Sequence, residues 1–474
     1  MNPLKIAAGM SYKQAKYGAL FLTMLFAGLL VYNFIRAQST VQTAASLLLA
    51  ALAFILYIIL NKAENLQNNL VENQEKITQL EKNLDEELNK ARDVHQKILP
   101  DKLPEAEDLT ISSFYQPAEY MGGDYYNIFQ IDHGSMSSIL DQYLVYYFDV
   151  SGHGIDSTLL SIFVNDAVEN YFKLKHSPGE KVEPAEIMNF VDRQYQNENF
   201  PHDYLVCLFL GLLDLNNYRL SYAAGGLQFP LYLIDRKKGL QKIETGGLPL
   251  STGLGAREDR PSGSLELPQN NTLFLSTDGL FEQRKCSQDN SIMYHSRAEE
   301  VLEASRNLPT PFIKDIMSAD FNRFTAGDRG DDDVTFMLIE RLQGEIDAWQ
   351  VTGKVQIEDN ISKIVTQLTG AGGEYVDDVT LKILQNILRD IFQLCEQQIN
   401  PAQISCKIND QEQYITLTME TNPGQSSWKN IMNNYKEKDN ISKITCPENT
   451  SPDRDKLYFS YNEFYNKLHL LVFK

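Results

Sequence analysis

Four stretches of this chain place an aspartate where an apolar run meets glycine or further acid. They are YMGGDYYNIF (Asp124), YYFDVSGHG (Asp149), LFLSTDGLFE (Asp278) and RGDDDVTFML (Asp331 to Asp333). The run ending at Phe148 is apolar enough for burial on both faces, yet it finishes in the charge of Asp149. A lone carboxylate buried there costs several kcal/mol, so something positive must meet it. Any one aspartate after a strand is more often a turn or a helix cap, and the acidic triplet alone reads as a solvated loop. Gathered in one place, the carboxylates would repel one another unless cations neutralised them. An all-oxygen set without histidine or cysteine suits the hard ions Mg²⁺ or Mn²⁺ rather than zinc. The glycines beside it let backbone carbonyls and water approach an ion with no Cβ in the way. His153, in the glycine turn after Asp149, is the nearby titratable group that could serve as an acid.

Reaching one place requires strands that run in alternating directions. Asp149 and Asp278 follow their strands, whereas Asp332 precedes its own, so antiparallel packing can unite them. YLVCLFLGLLDL, the turn Asn216-Asn217 and YRLSYAAGG read as a hairpin, and FPLYLIDRKKGLQKIET as a second. TLFLSTDGLFEQ and DVTFMLIERL supply further strands, and Asp156 and Ser157 are placed to cap a helix through LLSIFVNDAVENYFKLK. Hairpins interleaved with long helices imply an α+β layered domain over residues 101–343.

The chain has 474 residues and a formal net charge of -20, which excludes a large nucleic-acid footprint, since phosphate binding needs a basic face. Five scattered cysteines with no CxxC pair fit reduced thiols rather than a disulfide framework or a zinc site. Residues 1–62 read as a membrane anchor. No charge interrupts the stretch between Lys16 and Arg36, nor that between Arg36 and Lys62, and each approaches the ~20 residues that cross a bilayer. Lys5, Lys13 and Lys16 precede the first span and only Arg36 lies between the two. Both ends are therefore expected in the cytoplasm of a multi-pass protein of the cell membrane. Over residues 63–100, Leu70, Ile77, Leu84, Ala91 and Ile98 recur every seven residues, with Leu66, Leu80 and Val94 at companion positions. That is a coiled-coil seam, interrupted by Asn73 and Glu87 and ended by Pro100 and Pro104, and it predicts a homodimer. The other reading is a single amphipathic helix lying on the domain.

Taken in order, the four aspartate motifs resemble the metal-dependent protein serine/threonine phosphatases of the type 2C kind. The similarity is to the bacterial branch of sporulation-stage and sigma-factor-regulating phosphatases. It runs from about Lys90 to Leu342, from ARDVHQKILP through YQPAEYMGGDYYNIF, FDVSGHGIDSTLL and LFLSTDGLFEQ to DRGDDDVTFMLIE. The resemblance implies an α-β-β-α sandwich holding two Mn²⁺ or Mg²⁺ ions. It implies Asp124 on the second metal, Asp149 bridging both, and the Val150 carbonyl completing the pair. It also implies Asp278 and Asp332 on the first metal, with Asp332 rather than Asp333 because the acidic pair precedes Val334-Thr335. Paired cations would activate a water for in-line attack on a phosphoserine or phosphothreonine of a signalling partner, such as an anti-sigma-factor antagonist. Asn127, Gly226 and Cys207 depart from the family, standing where relatives often carry aspartate, histidine and threonine. His153 does not match the position of the acid histidine of eukaryotic relatives, where Ser151 falls.

Residues 344–474 form a third region, with an amphipathic helix in DDVTLKILQNILRDIFQLCEQQI and two strands around NDQEQ. It resembles the small ATPase domains of anti-sigma factors but lacks their Glu-x-x-x-Asn, and reads as a degenerate or unrelated α/β interaction module. Two rival functions stand beside the phosphatase. One is a catalytically silent scaffold of the same fold that acts by binding. The other is a nucleotide cyclase suggested by GGDYY, which lacks the needed glutamate at Tyr125 and leaves the other three motifs unexplained.

Overall fold

The computed structural model describes residues 12–35, 40–100, 103–104, 108–132, 141–152, 154–174, 181–257, 260–286, 291–325, 332–342, 346–351, 361–362, 385, 388–389, 404–410, 414–421, 458–462 and 467–473. The chain divides into two compact units, Met1–Lys90 and Ala91–Lys474. In chain order the elements begin with α1 (Tyr12–Ile35) and α2 (Thr40–Gln96), followed by β1 (Leu109–Gln116), β2 (Tyr125–Gln130) and β3 (Gln142–Val150). Next come α3 (Ile155–Leu174), α4 (Pro184–Asn197), β4 (Val206–Asp214), β5 (Arg219–Gly225), β6 (Leu231–Asp235), β7 (Gly239–Ile243), β8 (Ser262–Glu266) and β9 (Asn271–Ser276). The domain closes with α5 (Gly279–Glu282), β10 (Arg284–Cys286), β11 (Ser291–Met293), α6 (His295–Ala304), α7 (Thr310–Phe324) and β12 (Val334–Arg341). Beyond it lie β13 (Ile346–Val351), β14 (Ile404–Asp410), β15 (Tyr414–Thr421), β16 (Tyr458–Asn462) and β17 (Lys467–Phe473).

In the first unit, one helix is long and apolar enough to cross a membrane, within α2 from Leu47 onward, while the apolar part of α1 is the shorter run Leu20–Tyr32. The helix continues unbroken from that apolar start to Gln96, so the second predicted span and most of the predicted coil lie on one helix, which ends four residues before Pro100. Leu66, Leu70, Ile77, Leu80 and Leu84 are all exposed along it.

Within the second unit, the part that carries the aspartates is built on two five-stranded sheets, ordered β1-β12-β9-β6-β7 and β2-β3-β4-β5-β8. Side chains alternate with the period of two that a strand imposes. In β9, Leu273 and Leu275 join the core between the sheets, whereas Phe274 joins the outer cluster under the helices. In β12, Met337 and Ile339 point inward and Phe336 and Leu338 outward, and in β6 Leu231 and Leu233 oppose Tyr232 and Ile234. Helices α3 and α4 cover the second sheet and α6 and α7 the first, which completes an α-β-β-α order of layers. Leu144, Val145, Tyr146 and Phe148 of β3 are fully enclosed, as its double-sided apolar run predicts. Each such side chain contributes about 1.5–3 kcal/mol relative to exposure. The two expected hairpins are β4–β5 and β6–β7.

One local expectation is corrected. Helix α3 starts at Ile155, and the Gly154 carbonyl accepts from the Thr158 N–H at 3.2 Å, so Gly154 is the capping position. Asp156 and Ser157 lie inside the first turn, where the Ser157 hydroxyl donates to Gly154 O at 3.1 Å. In the third region, β14 and β15 pair antiparallel as expected, within a sheet ordered β13-β14-β15-β17-β16. Leu471 of β17 is buried in the cluster that also holds Phe312 and Met317 of α7. Of the expected amphipathic helix, only Gln385, Leu388 and Arg389 are among the described residues, and all three are helical.

Candidate active site

Each sheet brings two of the four aspartates to the same edge. In the second sheet Tyr125 pairs with Phe148, so Asp124, just before β2, lies beside Asp149, just before the end of β3. In the first sheet Phe336 pairs with Ser276, which sets Asp278, just past β9, close to Asp332, just before β12. The two sheets are joined at this edge. The Thr277 hydroxyl donates to Asp124 Oδ2 at 2.8 Å and accepts from the Thr335 N–H at 3.1 Å. The Gly123 N–H donates to Asp333 Oδ2 at 2.6 Å, and the Ala118 N–H to Asp333 Oδ1 at 2.8 Å.

The last two bonds separate the members of the acidic triplet. Asp333 is buried, and both its oxygens are engaged in holding the Pro117–Gly123 loop. Asp332 is half-buried and, among the described residues, accepts from the Asp333 N–H at 2.9 Å, while Asp331 lies outside them. His153 also lies outside them.

Electrostatics place the carboxyls within reach of one another. Burial pushes the Asp124 carboxyl well above the usual carboxylate range, with the charges of Asp149 and Asp333 adding to it. Burial likewise raises Asp149, followed by Asp278, Asp332 and Asp333. Asp278 is raised by burial and then by Glu282, and burial pushes Asp332 up to about 6. Among the described residues no salt bridge reaches any of the four. Nor does any trio of acidic, histidine or cysteine side chains close on one point tightly enough to form a finished metal cage.

The donor chemistry nevertheless fits hard cations. Asp278 begins α5 without using its side chain as a cap, and its Oδ1 is buried with no hydrogen-bond partner. A buried carboxylate oxygen left without a donor is the kind of acceptor a divalent ion satisfies. A Cβ on Gly123 would lie 2.5 Å from the Val150 carbonyl oxygen, so only glycine lets that carbonyl stand beside Asp124. The residues that could hold ions are thus Asp124, Asp149, Asp278, Asp332 and the Val150 carbonyl.

The family departures also have physical explanations. Asn127 points away from the aspartates, donating to the Tyr146 hydroxyl at 3.3 Å. Gly226 has φ +81, and a Cβ there would meet Cys207 Sγ and Pro249 Cβ, each at 2.9 Å. Cys207 lies opposite Asp149 in the ladder, and burial, then the charge of Asp149, raises its thiol. Sequence reasoning missed Thr277, Gln228 and Glu282. Glu282 could have been found from its spacing, four residues after Asp278 on α5.

The family model described as Stage II sporulation protein E (SpoIIE) matches residues 141–342. The domain over those residues is similar to phosphatase domains of the SpoIIE type, and the sporulation and sigma-regulator branch fits that similarity. Phosphoserine phosphatase RsbU of Bacillus subtilis (strain 168) is 22% identical over 224 residues, covering 47% of this chain and 61% of RsbU. Phosphoserine phosphatase RsbP of the same organism is 26% identical over 210 residues, covering 43% of this chain and 47% of RsbP. The chain thus spans about half to three-fifths of the curated relatives it matches. Among solved structures, the SiaA-PP2C domain of Pseudomonas aeruginosa is similar at 21% identity with a TM-score of 0.46, over 56% of this chain and 98% of that one.

Proposed function

We propose that the chain is a membrane-anchored phosphoprotein phosphatase acting on phosphoserine or phosphothreonine. The observation that carries this reading is the convergence of Asp124, Asp149, Asp278 and Asp332 from two sheets onto one edge, with no described basic side chain to neutralise them. Asp124, Asp149 and the Val150 carbonyl would hold one ion, with Asp149, Asp278 and Asp332 on the other. Two Mn²⁺ or Mg²⁺ ions bound there would supply an acidified water to attack the phosphorus atom and would neutralise the phosphoryl oxygens around it. The chain's own residues do the positioning. Asp333 holds the loop before Asp124, Thr277 fixes the Asp124 carboxyl, and α5 sets Asp278.

In this reading α1 and α2 cross the cell membrane with the catalytic domain in the cytoplasm, supported by the uncharged stretches and the lysines before them. The exposed leucines of α2 seat a second copy as a coiled coil, which makes the protein a homodimer. The substrate is a phosphorylated signalling protein, by resemblance an anti-sigma-factor antagonist. The region 344–474 is an interaction module. The test uses the full chain in detergent with p-nitrophenyl phosphate and a phosphoserine peptide. Turnover should require Mn²⁺ or Mg²⁺ and vanish in Asp149→Asn. Turnover that survives excess chelator defeats the metal mechanism, and none with any divalent ion leaves a binding scaffold.

A further inference from the structure

Beside the aspartates, a cleft is lined by Asp149, Asp278, Cys207, Gly226, Gln228 and Phe229, among others. None of its lining residues is lysine, arginine or histidine. A phosphate ester carries up to two negative charges, and the acidic walls would repel it wherever an ion does not intervene. Within that lining, Gln228 supplies the one side-chain amide. Its Nε2 donates to Asp278 Oδ2 at 3.3 Å.

The chain fixes Gln228 there from both sides. Before it, Gly226 turns with φ +81, packed so closely on Cys207 and Pro249 that a Cβ would clash. After it, the Phe229 ring is wedged between Phe281 at 4.8 Å and His295 at 5.0 Å, centroid to centroid. Gln228 itself is exposed on the span between these two anchors. An amide nitrogen carries two hydrogens, and one bond to Asp278 leaves the other available.

We propose that Gln228 is a substrate-binding residue, whose second amide hydrogen is donated to a non-bridging phosphoryl oxygen of the phosphomonoester. The inference rests on the phosphatase reading and adds to it a neutral amide donor beside the two carboxyls of the cleft, Asp149 and Asp278. A neutral amide can bond both partners at once, to a carboxylate through one hydrogen and to the phosphoryl group through the other. A lysine at this position would instead compete with the cations for Asp278.

The test is steady-state kinetics of the full chain in detergent with Mn²⁺, comparing the parent with Gln228→Ala and Gln228→Glu. Losing one hydrogen bond to a charged group should raise KM for p-nitrophenyl phosphate, and the inhibition constant of inorganic phosphate, by about ten- to a hundredfold. The glutamate variant, which adds a negative charge, should lose more than alanine. Because Gln228 also bonds the proposed ligand Asp278, the Mn²⁺ concentration for half-activation is read alongside, and KM and the phosphate inhibition constant should stay raised at saturating Mn²⁺. A shift in that concentration with KM and phosphate inhibition unmoved would make Gln228 only a positioning residue for Asp278, and would overturn the proposal. Unchanged values throughout would overturn it too. A parent without turnover in any divalent ion removes the phosphatase reading itself, which the variants alone cannot do.

Discussion

The Thr277 hydroxyl donates to Asp124 Oδ2 across 2.8 Å, tying the end of β9 in one sheet to the start of β2 in the other. Asp124 is 1% exposed, so this bond is made in a medium that strengthens it and penalises its loss. Thr277→Val keeps the shape of the side chain and removes both the donor to Asp124 and the acceptor of the Thr335 N–H. We expect a loss of about 1–3 kcal/mol of stability, the cost of leaving a buried charged acceptor unsatisfied. Guanidinium unfolding of the metal-free protein reads it. An unchanged midpoint would mean that water replaces the hydroxyl freely.

Asp149 is a carboxyl whose ionised form the metal-free protein disfavours. Burial and three neighbouring aspartates raise its carboxyl, and no described donor compensates it. Asp149→Asn should therefore raise the melting temperature of the protein in chelator. It should lower turnover by more than about a hundredfold, beyond the 10–100-fold typical of losing an outer partner of a metal ligand. It should also abolish the rise in melting temperature that Mn²⁺ gives the parent, because an ion that binds only the native state stabilises by mass action. A variant destabilised in chelator would show instead that Asp149 serves the fold.

How much of this was legible in the sequence follows from the range of each signal. The hairpins β4–β5 and β6–β7 were legible because Asn216-Asn217 and the Arg236–Gly239 stretch punctuate alternating apolar runs. The layered α+β class followed from them. The aspartates were legible as a set through their order, and the resemblance named Asp332 over Asp333, but the physical reason for that choice was not. Three successive acidic residues look alike until the register of β12 turns Asp333 inward to the Gly123 N–H and leaves Asp332 at the rim. The α3 cap was misassigned because Gly154, with no side chain to signal it, takes the capping position and shifts Asp156 and Ser157 into the helix. Gln228 was invisible because only the packing of Phe229 against Phe281 and His295 brings it to the cleft.

The contrast between neighbouring aspartates is itself testable. Asp333→Ala removes the acceptor for the backbone N–H groups of Ala118, Gly123 and Asp124, and should destabilise the metal-free protein by about 1–3 kcal/mol. Asp332→Ala removes a half-buried carboxyl bonded, among the described residues, to its neighbour's N–H, and should leave stability within about 0.5 kcal/mol while weakening Mn²⁺ binding. Calorimetric titration with Mn²⁺ beside thermal unfolding separates the two. The reverse pattern would exchange the roles assigned to these residues.

Acid sensitivity should centre on His95, near the end of α2 and far past the apolar stretch. It is 3% exposed, its ring lies 6.2 Å from that of Tyr115, and its Nε2 has no hydrogen-bond partner. Burial lowers its pKa below the ordinary 6.5. The unfolded chain therefore takes up a proton that the folded protein resists. The stability this group contributes is complete above pH 6.5 and is lost as pH falls through its folded value. The groups packed nearest titrate elsewhere, since burial raises the Tyr115 phenol. Asp332, pushed up to about 6, gains its proton over the same interval with the opposite effect on stability, but it does so equally in parent and variant. The difference in melting temperature between the parent and His95→Phe, followed from about pH 7.5 to about pH 5 in chelator, isolates the histidine. The parent should lose ground to the phenylalanine variant on acidification. A difference that stays constant with pH would show that the His95 ring accepts its proton in place.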